Sequence, residues 1–150
     1  MHYAAFSSNL DAIYCLIENN ADIFSLNQNE LSMLHVAAQG GSPAALYLFA
    51  SKLKLDINQK DKRGCTPIHW ACYSCSELAL QYALALKPNI NIQDKEGFTP
   101  LHLAVRSVGN LESCRPVRSL LIKGAKTEIR DSTGRKPADY ICEAPEDFQD

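Results

Sequence analysis

Arg63-Gly64-Cys65-Thr66-Pro67-Ile68-His69-Trp70-Ala71-Cys72 and Glu96-Gly97-Phe98-Thr99-Pro100-Leu101-His102-Leu103-Ala104-Val105 are two copies of one pattern. Each runs Gly-x-Thr-Pro, then Ile or Leu, His, one variable residue and Ala. Two further segments align with them in looser form, Asn29-Glu30-Leu31-Ser32-Met33-Leu34-His35-Val36-Ala37-Ala38 and Thr133-Gly134-Arg135-Lys136-Pro137-Ala138-Asp139-Tyr140-Ile141-Cys142. Met1-His2-Tyr3-Ala4-Ala5 is the tail of a fifth. The histidines His2, His35, His69 and His102 step by 33, 34 and 33 residues, and the next equivalent place, Asp139, follows after 37.

The local chemistry of the pattern is that of a helix start. Thr66 before Pro67, and Thr99 before Pro100, read as N-cap and first helical residue. The hydroxyl accepts from an orphan helix N–H, and proline lacks the N–H that has no partner there. Gly64, Gly97 and Gly134 fall where a tight turn needs positive φ. Small residues follow on the first helix of each unit: Ala4, Ala5, Ala37, Ala38, Ala71, Cys72 and Ala104. They let neighbouring helices approach closely. Second helices carrying the larger apolar face are expected near Leu10–Glu18, Pro43–Ser51, Ser76–Leu86 and Pro116–Lys123. The expected architecture is all-α: about five stacked helix-turn-helix units at residues 1–26, 27–60, 61–93, 94–130 and 131–150, in one domain whose first and last units are incomplete. Each unit buries its apolar face only against its neighbours, so the stack is the folding unit.

A period near 33 with Thr-Pro-Leu-His-x-Ala resembles the ankyrin-repeat family over essentially the whole chain. The resemblance implies a protein-recognition module whose concave face is lined by turn tips and first-helix ends. Here those places are Gln28, Asn29 and Leu31; Lys62, Arg63 and Cys65; Lys95, Glu96 and Phe98; Ser132, Thr133 and Arg135. The helix ends add Phe6, Gln39, Tyr73, Arg106 and Ser107. Arg63, Trp70, Tyr73, Phe98, Arg106 and Gln39 are the candidate partner-binding residues, because Arg and aromatic side chains dominate binding hot spots. Trp70 is open to two readings, packed between units or presented to the groove. Phe98, at a turn tip, is expected to be exposed. Leu34-His35-Val36-Ala37-Ala38-Gln39-Gly40, the run from Thr66 to Ser74, and Leu101 to Val108 with Arg115 to Leu121 are further similar to the ankyrin regions of protist DHHC-type palmitoyltransferases. In that family the array recruits proteins to be palmitoylated. That likeness implies an acyltransferase active site and transmembrane helices outside this chain, and a place at the cytosolic face of a membrane.

Composition narrows the alternatives. Lys plus Arg number 15 and Asp plus Glu 17, a net charge of −2 without the basic excess that nucleic acid requires. No run approaches the roughly 20 apolar residues that span a bilayer, and Met1-His2-Tyr3-Ala4-Ala5-Phe6 lacks the basic-then-apolar start of a secretion signal. The six cysteines, Cys15, Cys65, Cys72, Cys75, Cys114 and Cys142, are therefore read as reduced thiols in a cytosolic setting. All four histidines share one repeat place. Each imidazole is expected to bond backbone in the adjoining turn and fix the stack, so His35, His69 and His102 join Thr66, Thr99, Gly64 and Gly97 as structural residues. None is spare for catalysis, and no catalytic residue, cofactor or metal is expected. His69, Cys72 and Cys75 share a helix at spacings of three, but a structural zinc site takes four ligands and no fourth is in sight. The carboxylates scatter over turns and tails.

Two irregularities carry expectations of their own. The fourth unit is four residues long for its class, and the surplus is placed in an exposed loop from Ser107 to Arg115. The first copy begins at its histidine, and Pro145 is placed to stop any partner helix of the last. The chain is accordingly read as a monomeric piece of a longer protein that binds a protein or peptide. A structural spacer is the rival reading.

Overall fold

The computed structural model of the chain describes residues 1–74, 76–108 and 113–143. The elements run α1 (His2–Phe6), α2 (Leu10–Glu18), α3 (Met33–Gln39), α4 (Pro43–Leu46) continuing as a π-helix (Tyr47–Lys52), α5 (Pro67–Tyr73), α6 (Glu77–Ala85), α7 (Pro100–Arg106), α8 (Arg115–Ile122) and a 3₁₀ helix (Pro137–Glu143). No strand occurs among the described residues. The first helices α1, α3, α5 and α7 stack in a row with the 3₁₀ helix at its end. The second helices form an outer row behind them, where α4 meets α6 and α6 meets α8. This is a helical solenoid.

The first helices start as their sequence dictates. Ser32, Thr66 and Thr99 are N-caps in extended backbone, with Pro67 and Pro100 opening α5 and α7. Each start is a capping box in which His stands where Glu or Gln usually does. The backbone N–H of Ser32, Thr66 and Thr99 donates to Nδ1 of His35, His69 and His102, in each case at 3.1 Å. The cap hydroxyl lies 2.8, 2.9 and 2.8 Å from that same nitrogen.

The other ring nitrogen leaves the unit. Nε2 of His2, His35, His69 and His102 donates to the carbonyl oxygens of Leu31, Cys65, Phe98 and Arg135, at 3.0, 3.0, 3.1 and 3.3 Å. Each acceptor lies in the turn of the next unit. Turn also meets turn directly: the N–H groups of Lys62, Lys95 and Ser132 donate to the carbonyls of Asn29, Arg63 and Glu96 at 3.1, 2.9 and 3.0 Å. Gly97 shows why the turn needs glycine. Its φ is +82°, and a Cβ there would stand 2.6 Å from the Ser132 nitrogen. The turn-to-turn bond and a side chain cannot share that space.

Behind the histidines lie the small residues. Ala5, Ala37, Ala38 and Ala104 are fully buried, and Ala4, Ala71 and Cys72 nearly so. The outer row supplies the bulk, with Ile13, Leu46, Phe49, Leu80 and Leu120 sealed from solvent. Across that row Gln81 donates to Ser119 and Arg115 pairs with Glu77 at 3.0 Å.

Two local expectations need correction, and the expected final helix takes a tighter form. The helix expected over Pro43–Ser51 changes at Tyr47 to π geometry. Leu48 and Phe49 are both buried there, and Leu53 N–H closes on the Leu48 carbonyl, a π-type bond five residues back. The final helix is 3₁₀, and Asp139 takes the histidine's place: its carboxylate accepts from Lys136 N–H at 2.8 Å, as Nδ1 does elsewhere. Ser107 is buried rather than looped out, because it ends α7 and its hydroxyl donates to the Ala104 carbonyl at 2.9 Å. The centre of the expected loop, 109–112, and the tail around Pro145 lie outside the described residues.

Burial pushes the basicity of His35, His69 and His102 down, more than the bonds to their carbonyl partners raise it. Protonation would also place a proton on Nδ1, against the backbone N–H that now donates to it. The unfolded chain therefore binds more protons than the folded one below the ordinary histidine range. Stability should be full above about pH 6.5 and fall as pH drops, by up to roughly 1.4 kcal/mol per pH unit for each of these histidines. Urea titrations at a series of pH values check this. A flat profile between about pH 7 and 5 contradicts it.

Candidate functional site

Asp61 and Asp94 build the turns that carry the candidate residues. Asp61 Oδ1 accepts from the N–H groups of Arg63 and Cys65 at 2.8 and 2.9 Å. Asp94 Oδ1 accepts from Glu96 and Phe98 at 2.9 and 2.8 Å. Asp131 does the same for Thr133 and Arg135, at 2.8 and 3.1 Å, and Asn27 for Asn29 and Leu31, at 2.9 and 3.0 Å. These acids do not scatter, as their sequence suggested. They hold one repeat place five residues before the helix cap and fix the shape of every turn tip.

The second oxygen of each acid faces the residue after the repeat histidine. Trp70 Nε1–H donates to Asp61 Oδ2 at 2.9 Å, and the Tyr140 hydroxyl donates to Asp131 Oδ2. Against desolvation, which raises it, the bonds from Tyr140, Thr133 and Arg135 hold the Asp131 carboxyl far below the usual carboxylate range. Where the equivalent residue is Leu103, Asp94 Oδ2 meets the Cys65 thiol instead, at 3.7 Å. Burial and the neighbouring Asp61 and Asp94 push that thiol up to about 12, so it stays protonated and inert.

On this frame the six candidates come together. Gln39, Arg63, Trp70, Tyr73, Phe98 and Arg106 all line one groove of about 800 Å³, with Asp94, Glu96, Leu103 and Ser107 completing its walls. Trp70 settles between its two readings: it is half-buried and anchored to Asp61, with its ring edge-on to Tyr73 at 5.9 Å. Tyr73 is 67 % exposed. Arg63 reaches Glu96 at 3.5 Å across exposed surface. Of the turn residues expected on the concave face, Leu31 is buried, while Cys65, also largely buried, lines the groove.

Phe98 is not the exposed ring its turn position implied. It is half-buried, edge-on to His102 at 5.7 Å and to Tyr140 at 5.9 Å. Tyr140 comes back from the last helix to close that cluster, a contact the turn position alone does not show. The Arg106 guanidinium lies over Phe98 at 5.2 Å and over Tyr140 at 5.6 Å, and Arg135 lies over Tyr140 at 5.4 Å.

His69 has both ring nitrogens engaged, one by Thr66 and one by Phe98. Among the described residues no three His, Cys, Asp or Glu side chains are grouped to hold a metal, while Cys75 of the His69-Cys72-Cys75 set lies outside them. No helix among the described residues is long and apolar enough to cross a membrane.

Stacked helix pairs joined by turn-tip hydrogen bonds, with a histidine bridging each unit to the next, define a helical repeat protein. A model of ankyrin repeats in three copies matches residues 1–94 and 34–131, and the chain belongs to the ankyrin-repeat family. Alpha-latrotoxin-Lg1a of Latrodectus geometricus is 36 % identical over 72 residues, 47 % of this chain and 5 % of the toxin. Delta-latroinsectotoxin-Lt1a of Latrodectus tredecimguttatus is 40 % identical over 63 residues, 41 % of this chain and 5 % of the toxin. The chain thus aligns with about a twentieth of the length of these relatives.

The acid and its aromatic partner should be coupled. Asn serves at position 27, where the equivalent residue is Val36 and offers no donor. Asp61→Asn would set an amide N–H₂ against the Trp70 N–H. It should cost about 1–2 kcal/mol of stability with Trp70 in place and little on a Trp70→Phe background. Denaturant unfolding of the two single variants and the double variant measures the coupling, and a coupling near zero contradicts the bond's role.

Proposed function

We propose that this chain is a protein-interaction module that holds a peptide or loop of a partner protein in the groove between Arg63, Tyr73 and Arg106. Ankyrin repeats are generally such modules. The observation that carries the reading is the convergence of Gln39, Arg63, Trp70, Tyr73, Phe98 and Arg106, from consecutive repeats, on one groove. It combines exposed aromatic surface with guanidinium groups on a rigid frame, the composition that concentrates binding energy. The chain acts as a monomer and without nucleic acid, and contributes no active site of its own.

A finer reading makes the array the substrate-recruiting part of a palmitoyltransferase. It rests on the runs Leu34–Gly40, Thr66–Ser74, Leu101–Val108 and Arg115–Leu121, and it places transmembrane segments and a Cys-rich domain elsewhere in the parent. Reading the parent gene beyond Asp150 tests it: their absence removes the reading.

For the groove itself, Tyr73→Ala is the clean variant, because the ring is exposed and Trp70 keeps its bond to Asp61 without it. Phe98→Ala would also unseat Arg106 and Tyr140. Tyr73→Ala should weaken a groove-bound peptide by at least ~2 kcal/mol, about thirtyfold, with unchanged unfolding temperature. Titration calorimetry measures it. Unchanged affinity in a folded variant would move the site off this groove, and failure to obtain any binder would favour the spacer.

A further inference from the structure

Arg106 is held in an unusual state for an exposed arginine. Its guanidinium lies 5.2 Å from the Phe98 centroid and 5.6 Å from that of Tyr140. Those rings are themselves fixed, Phe98 edge-on to His102 and Tyr140 bonded through its hydroxyl to Asp131. Contact with two fixed rings restrains the guanidinium without using its N–H groups on an acceptor. No carboxylate takes them: the ion pairs and side-chain hydrogen bonds among the described residues leave Arg106 without an acidic partner. The nearby acids are committed elsewhere. Asp131 is used by its turn and Tyr140, Glu96 pairs with Arg63, and Asp94 serves its own turn and the Cys65 thiol.

We infer that Arg106 is a pre-oriented fork for a carboxylate of the partner, and that the groove selects peptides carrying an Asp or Glu side chain there. The inference rests on the groove being the binding site. Cation–π contact with Phe98 and Tyr140 already restricts the guanidinium, so less freedom is lost when a carboxylate docks bidentately on it. A side-chain carboxylate fits better than a phosphate. Within the groove Asp94 and Glu96 offset Arg63 and Arg106, so the walls are close to neutral. That suits one negative charge on one fork and works against a dianion. An aromatic or aliphatic residue of the same peptide would lie against Tyr73 and Trp70.

A random-peptide display library selected on the whole chain, and in parallel on Arg106→Gln, tests this. The wild-type protein should enrich peptides with an acidic residue at a fixed spacing from an aromatic or aliphatic one, and the variant should lose that enrichment. A synthetic selected peptide should bind Arg106→Gln about tenfold to a hundredfold more weakly. The same peptide with its acidic residue changed to the amide should lose as much on the wild-type protein, and nothing further on the variant. That second arm leaves the protein untouched, so it holds even where Arg106→Gln disturbs the ring cluster. Selected peptides that need Tyr73 but carry no acidic residue, or that ignore Arg106, overturn the inference and leave the groove reading standing. Peptides indifferent to both Tyr73 and Arg106, or no peptides at all, overturn both. A phosphoserine replacement that binds more tightly than the acidic residue overturns the choice of carboxylate.

Discussion

The hydrogen bond from one unit's imidazole to the next unit's turn carbonyl is the constraint on which the rest of this molecule depends. Each helix start buries an imidazole that must find a donor on one side and an acceptor on the other. The cap N–H supplies the first within its own unit, and the carbonyl of Cys65, Phe98 or Arg135 supplies the second. A unit alone leaves Nε2–H without a partner in an apolar place, at a cost of about 1–3 kcal/mol. The histidine therefore does little for its own hairpin and much for the register between hairpins. The small residues Ala37, Ala38, Ala71 and Ala104 then permit the close approach the bond requires.

Register between hairpins is what creates the groove. Phe98 is at once the carbonyl that receives His69 and the ring that supports Arg106. Asp61 is at once the turn's internal acceptor and the anchor of Trp70. The same bonds that fix the stack thus fix the angle at which the wall residues are presented. This is the sense in which a solenoid pre-organises a binding surface: little of the ordering remains to be done when a partner arrives. Tyr73, whose ring is mostly exposed, is the wall residue whose loss should report on binding rather than on folding.

The sequence makes the stack legible because its signals are local and repeated. Thr-Pro fixes where α5 and α7 begin, and α2 runs over Leu10–Glu18 as its apolar pattern indicates. The groove was legible as a set of residues, since Gln39, Tyr73 and Arg106 hold equivalent helix ends. Their energetic roles were not. Asp61, Asp94 and Asp131 stand two residues before the quoted motif, so their shared place emerges only when the alignment is carried upstream. Phe98 looked exposed because its burial comes from Tyr140, far along the chain, and from His102. The π segment after Leu46 contains no Pro or Gly to mark it. Ser107 looked like the start of a loop because a length surplus says that residues are extra without saying where the helix stops.

The tautomer of the buried histidines tests the central claim most directly. Nitrogen-correlated NMR on His35, His69 and His102 distinguishes a proton on Nε2 from one on Nδ1. Three neutral rings protonated at Nε2, remaining so at pH values where an exposed histidine is charged, are what the bridging bond requires. Rings protonated at Nδ1, or titrating together with free histidine near pH 6.5 or so, would show that the imidazoles do not join the units.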